Sequence, residues 1–158
     1  MKRCAFSVLV VTCFSAALHA AAVDIVRIWP GYRTAESFET VGEFFGRGEH
    51  TGGRVLLRSQ SESRAGFYFL TRLQAQAAHP QAEVRLEVIL PGSVTPVVHT
   101  FTTALKAGST VLQVGLTGTD WGDSSQRPVA WRLAIRDPSS SIPLAETRSF
   151  LWATPGAP

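Results

Sequence analysis

The chain is short of several residue types, and each shortage excludes something. It contains no asparagine, so no N-glycosylation sequon exists. Its two cysteines, Cys4 and Cys13, stand at the N-terminus, as do Met1 and one of its two lysines. From Val23 onward there is no thiol, no disulfide and no cysteine metal ligand. Very small exported domains commonly need disulfides, but the 136 residues from Val23 to Pro158 can bury about two-thirds of their unfolded surface and stand without them. Charge of one sign is also scarce. The whole chain has 15 basic and 12 acidic residues, and without Lys2 and Arg3 the basic count falls to 13, a net charge of +1. All but Lys106 of those later basic residues are arginine, interleaved with acids. Neither a nucleic acid nor an anionic membrane surface is expected as a partner.

The first 22 residues read as a targeting segment. Met1-Lys2-Arg3 is a short basic start, Cys4 to Leu18 carries no charge, and Ala20-Ala21-Ala22 supplies small residues for a signal peptidase. Cleavage is expected near Ala22, with Ala20 as the alternative position. A retained anchor is the competing reading, because Cys4 to Val23 is just long enough to span a bilayer. His19 and the alanine-rich end argue against it. Val10-Val11-Thr12-Cys13 is too close to the N-terminus for a lipobox. The protein is therefore expected outside the cytoplasm, periplasmic or secreted, in a bacterial-type export route. One domain is expected over 23–153, with a frayed tail over 154–158.

Beyond the targeting segment the rhythm is strand, turn, strand. Asp24 to Trp29 is a β-branched run that Pro30-Gly31 is expected to close as a turn. Thr34 to Phe45 changes period, with Phe38, Val41 and Phe45 at i, i+3 and i+7, Thr34 as a cap and Gly46 as a stop. A short helix is predicted there. Runs over Val55–Gln60, Gly66–Leu73, Glu83–Leu90, Val97–Thr103, Thr110–Leu116, Val129–Arg136 and Leu144–Trp152 read as strands, separated by glycine-, proline- and serine-rich turns. Alternation is clearest in Val84, Leu86, Val88 and Leu90 against Arg85 and Glu87, and in Val129, Trp131, Leu133 and Ile135 against Arg132 and Arg136.

Short strands at this spacing predict an antiparallel β-sandwich of about seven to nine strands with one short helix near the mature N-terminus. Trp131, in the middle of a strand, resembles the buried tryptophan of immunoglobulin-like and fibronectin type III sandwiches. That likeness concerns the fold alone and implies no activity.

No catalytic motif stands out. The chain has no G-x-S-x-G elbow, no phosphate-loop lysine and no H-E-x-x-H. His50, His79 and His99 lack the spacing of metal ligands, so no metal and no cofactor is expected. Two loops hold the candidate binding residues. In Gly46–Gly53, Arg47, Glu49 and His50 sit among glycines that let a ligand approach the backbone; a flexible connection is the plainer reading. In 117–127, Asp120 and Asp123 flank Trp121. Two carboxylates three residues apart can hold a hard cation or act as acid and base, yet aspartates also cap ordinary turns. Trp121, if exposed, can stack on a sugar or anchor a protein; if buried, it plugs one end of the domain. The leading expectation is a non-catalytic module that binds protein or carbohydrate outside the cytoplasm. A small hydrolase using the carboxylates of the 117–127 loop and a structural subunit of a surface assembly are the alternatives, the latter requiring an exposed edge strand or apolar patch.

Overall fold

The computed structural model describes residues 22–38 and 54–152. They form eight strands: β1 (Val23–Arg33), β2 (Val55–Arg58), β3 (Gly66–Ala75), β4 (His79–Ile89), β5 (Val97–Leu105), β6 (Gly108–Thr117), β7 (Ala130–Arg136) and β8 (Pro143–Arg148). Sheet A has the order β1-β3-β6-β2 and sheet B the order β5-β4-β7-β8. All neighbours are antiparallel except β2, which runs parallel to β6.

The period-2 pattern of the sequence explains the layering. In β3 and β6, Phe67, Phe69, Leu73, Leu112, Val114 and Leu116 point one way. In β4 and β7, Val84, Leu86, Val88, Trp131, Leu133 and Ile135 do the same. These side chains merge into one apolar cluster shared by both sheets. Phe69 of sheet A meets Trp131 of sheet B edge-on, with ring centroids 5.4 Å apart. Removing water from a shared core of this kind is the main stabilising term, at about 25 cal/mol per Å² of apolar surface.

Several boundaries differ from the sequence reading. Pro30 and Gly31 do not turn the chain; they lie inside β1, opposite Phe69 and Tyr68. A proline is tolerated there because β1 is an edge strand, where a missing N–H need not break a ladder. Pro80 likewise lies inside β4, at a register shift between His79 and Ala82 that absorbs it. Val129 precedes β7 and is exposed rather than facing inward. The last strand stops at Arg148, and a turn at 149–152 follows. Of the helix predicted over Thr34–Phe45, the described part is one 3-10 turn, Ala35–Phe38; residues 39–45 lie outside the described residues, as do 1–21 of the targeting segment. Among the described residues no helix is long and apolar enough to cross a membrane.

The outer faces of the sheets are unlike. On sheet A, the ring of Tyr68 lies over Gly115, whose Cβ would come within 2.3 Å of it in any other residue. Phe38 covers Tyr68 in turn, with centroids 4.8 Å apart, and Arg33 and Arg58 flank Phe38 at 5.6 Å each. The Tyr68 hydroxyl donates to the Arg64 carbonyl at 2.7 Å. On sheet B the outer face is polar. Glu87 accepts from Arg85 Nε at 2.7 Å and from Arg132, its cross-strand neighbour, at 2.8 Å to both carboxylate oxygens.

Candidate functional site

The 118–129 segment, between β6 and β7, is the longest connection described throughout its length and carries three of the candidate residues. Its entrance is fixed. Thr117 is fully buried; its N–H donates to Ser59 Oγ at 2.9 Å, and its hydroxyl donates to the Gln60 carbonyl at 2.8 Å while accepting from Gln60 N–H at 3.0 Å. The Gln60 side chain also bonds Thr119 at both its backbone and its hydroxyl. Gly118 has φ of +58°, and a Cβ there would strike Gln60 Oε1, so the close approach of the two loops needs glycine.

From this anchor a 3-10 turn, Gly118–Asp120, delivers Trp121 inward. Its indole is 6% exposed and packs on Phe67 with centroids 4.8 Å apart. Arg127 lies over the Phe67 ring at 5.7 Å. Trp121 thus fills the end of the core, and no open indole face is left to receive a ligand. Its Nε1 is buried without a hydrogen-bond partner. Leaving such a donor unpaired costs about 1–3 kcal/mol, which the burial of a large aromatic surface offsets.

The Asp123 carboxylate is engaged by its own turn. Asp123 is exposed, and its Oδ1 accepts from the backbone N–H and hydroxyl of Ser125, both at 2.8 Å. Those bonds, the backbone one first, hold its carboxyl below the usual aspartate range. This is the Asx-turn geometry that stabilises a tight loop. Asp120 ends the 3-10 turn, half-buried. Among the described residues no three His, Cys, Asp or Glu side chains are grouped as metal ligands would be. Arg47, Glu49 and His50 lie outside the described residues.

The other histidines are placed separately. His79 starts β4 beside a recess of about 380 Å³ lined also by Ala78, Pro80, Gln81, Asp137 and Ser139. The Asp137 carboxylate there is taken up by Ser139, at 2.9 Å to its N–H and 2.6 Å to its hydroxyl. His99 lies in β5 and stacks on Phe101 at 6.5 Å.

Two features carry more of the surface chemistry than the aspartate loop does. The first is the Glu87 network. Burial pushes the Glu87 carboxyl up, but hydrogen bonds from Arg132 and Arg85 outweigh it, and the group sits below the ordinary glutamate range. The same carboxylate, through its hydrogen bond, raises Arg132. Arg132 also lies over Trp152 at 5.4 Å. The alternation of β4 and β7 puts these residues outward, but only the register, Glu87 opposite Arg132, joins them.

The second is an apolar end. Of the large hydrophobic side chains exposed in the described residues, Val94, Val97, Val98, Val129, Phe150 and Leu151 belong to segments that meet at one end of sheet B. The β4–β5 hairpin carries Val94, Val97 and Val98. Val129 is tied to that hairpin by its N–H to the Ile89 carbonyl at 2.9 Å. The 149–152 turn joins them through Ser149, whose N–H bonds the Trp131 carbonyl at 2.9 Å and whose hydroxyl accepts from Trp131 N–H at 3.0 Å. Phe150 is fully exposed and Leu151 is 65% exposed. Single exposed apolar residues are ordinary, whereas several gathered on neighbouring segments offer material for an interaction site. No protein-family model, no curated protein and no solved structure matches the chain.

Proposed function

We propose that this protein is an exported, non-catalytic module that binds another protein through the apolar end of sheet B. The observation that carries the reading is the gathering of Val94, Val97, Val98, Val129, Phe150 and Leu151 on three segments tied together by backbone hydrogen bonds. Their side chains add little to the fold, since they face water, so their apolar character is explained by a partner that covers them. Arg127 and Arg148, in or beside these segments, furnish a polar rim. A folded protein with an apolar patch of its own fits this surface better than a carbohydrate, because the indole that would stack on a sugar is turned into the core.

Export is part of the same proposal. The basic start, uncharged run and alanine triplet supply the features of a cleavable signal, and β1 begins at Val23, the residue after the triplet. The two-layered β architecture and the buried Trp131 fit an immunoglobulin- or fibronectin-III-like sandwich, a class that often works by binding. The test is a comparative capture. The tagged protein and its F150S/L151S variant are crosslinked in the exporting cell and their captured proteins compared. The variant, folded because both side chains are exposed, is expected to lose one specific partner; identical capture by both would overturn the reading.

A further inference from the structure

We infer that β5 is a self-association edge, and that two copies of this chain pair antiparallel along it to make one continuous eight-stranded sheet. The argument begins with how exposed sheet edges are kept from pairing. An edge strand offers a row of free backbone donors and acceptors, and folded proteins blunt it with charge, proline, a bulge or shortness. Among the described residues, three of the four sheet edges are blunted. In β1, Pro30 removes a donor, a register shift falls between Ile25 and Arg27, and Asp24, Arg27 and Arg33 add charge. In β8, six residues long, Pro143 opens the strand, a shift lies at its first pairs, and Glu146 and Arg148 are charged. β2 has only four residues, one of them Arg58.

β5 has none of these guards. Its nine residues, Val-Val-His-Thr-Phe-Thr-Thr-Ala-Leu, contain no proline, no glycine and no formal charge at neutral pH, and among the described residues it pairs only with β4. Most of them are β-branched or aromatic, the types that fit a pleated surface. Its register with β4 is regular from Val97 to Thr103, the shift lying beyond, between His79 and Ala82 of β4. The strand is therefore straight enough and long enough to receive another.

The identity of the occupant follows from the same sequence. A two-fold axis through Phe101 gives full overlap of the nine residues and places Val97 opposite Leu105, Val98 opposite Ala104, His99 opposite Thr103 and Thr100 opposite Thr102. Every pair is apolar with apolar or hydroxyl with a neutral polar partner, and no like charges meet. An isologous contact must be self-complementary in this way. A groove of about 410 Å³ runs beside the middle of the strand, lined by Leu56, Leu57, Arg58, Ser61, Phe101 and Thr102. Because Phe101 lies on the axis, the two grooves face each other across it and leave room for side chains of the opposite copy. The partner is a second copy rather than a charged peptide, since β5 offers nothing to recognise charge.

The experiment is the mass of the purified protein in solution, by light scattering or sedimentation, up to about 100 μM. A concentration-dependent dimer is expected. T100K/T102K puts lysines directly opposite each other at the centre of the pair and should weaken the dimer at least tenfold while leaving the melting curve cooperative, because both side chains are exposed. E146K, on the other edge of the same sheet, should leave it intact. To test the register, protein carrying T100C is mixed with protein carrying T102C, both in a C4S/C13S background. Oxidation should join the two species in preference to either with itself. A monomer throughout the range, a dimer indifferent to T100K/T102K, or a dimer equally broken by E146K would each overturn the inference.

Discussion

The edge strands β1 and β5 are of similar length, bound sheets of the same size and face water on one side, yet they are built from opposite materials. β1 carries proline, a bulge and three charges, whereas β5 carries none of these. The contrast extends to the faces behind them. Outside β1, sheet A is overlaid by Phe38 on Tyr68 on Gly115, with Arg27 and Arg72 stacked on Trp29 at 4.9 and 6.0 Å. Outside β5, sheet B is a polar network centred on Glu87, bounded by an apolar end. Sheet A is a finished surface, and sheet B presents what a partner would cover. Function is therefore sought on sheet B, and the stability of the fold is read mainly from the core and from sheet A.

That division is open to direct attack. The largest effect is expected at the end of the core. Trp121→Ala should cost about 3–5 kcal/mol in urea or thermal unfolding. Trp121→Phe should be close to neutral, because it keeps an aromatic ring on Phe67 and removes an unpaired buried donor. If Trp121→Ala were silent, the indole would not be the plug described above. Next is the covered face of sheet A. Gly115→Ala should destabilise by about 1–3 kcal/mol, since its methyl group must displace the Tyr68 ring; an unchanged melting temperature would mean that the ring is not held there.

On sheet B, Glu87→Gln should cost about 1–3 kcal/mol by leaving Arg132 and Arg85 without their carboxylate. The same group predicts an acid response. Its pKa is lowered on folding, so its contribution is complete above the unfolded glutamate value of about 4.3 and is lost as pH falls through the lower folded value. The difference in stability between wild type and Glu87→Gln should therefore shrink in that window; a constant difference down to pH 2 would contradict it. The smallest effect is at the rim of sheet A. Trp29→Leu removes the stacking of Arg27 and Arg72 and should cost about 0.5–1 kcal/mol, with no change in oligomeric state.

Much of the layering is legible in the sequence. Alternation along β4 and β7 named the inward residues except Val129, which is exposed, and turn residues marked most connections. Pro30 misled because proline ends a central strand but not an edge strand, and edge position is a property of pairing, not of local sequence. The helical period of Thr34–Phe45 has only its first turn in the described residues, and there Phe38 is spent on covering Tyr68. The candidate site was less legible. Asp120, Trp121 and Asp123 were visible as a cluster of types, but their directions depend on the Gln60–Thr117 bonds, made by residues 57 apart in the chain. The Glu87–Arg132 pair depends on a register that no periodicity states. The bare edge of β5 could have been noticed, since a nine-residue run without charge or proline is plain in the sequence; that it lies at an edge could not.

The central claim, that sheet B is open for contact at β5 while sheet A is closed at β1, is tested most directly by hydrogen–deuterium exchange on both strands in one sample. With rising protein concentration, amides of Val97–Leu105 should become more protected while those of Val23–Arg33 stay unchanged. Equal protection of the two strands at every concentration, or a concentration response at β1 alone, would contradict the account.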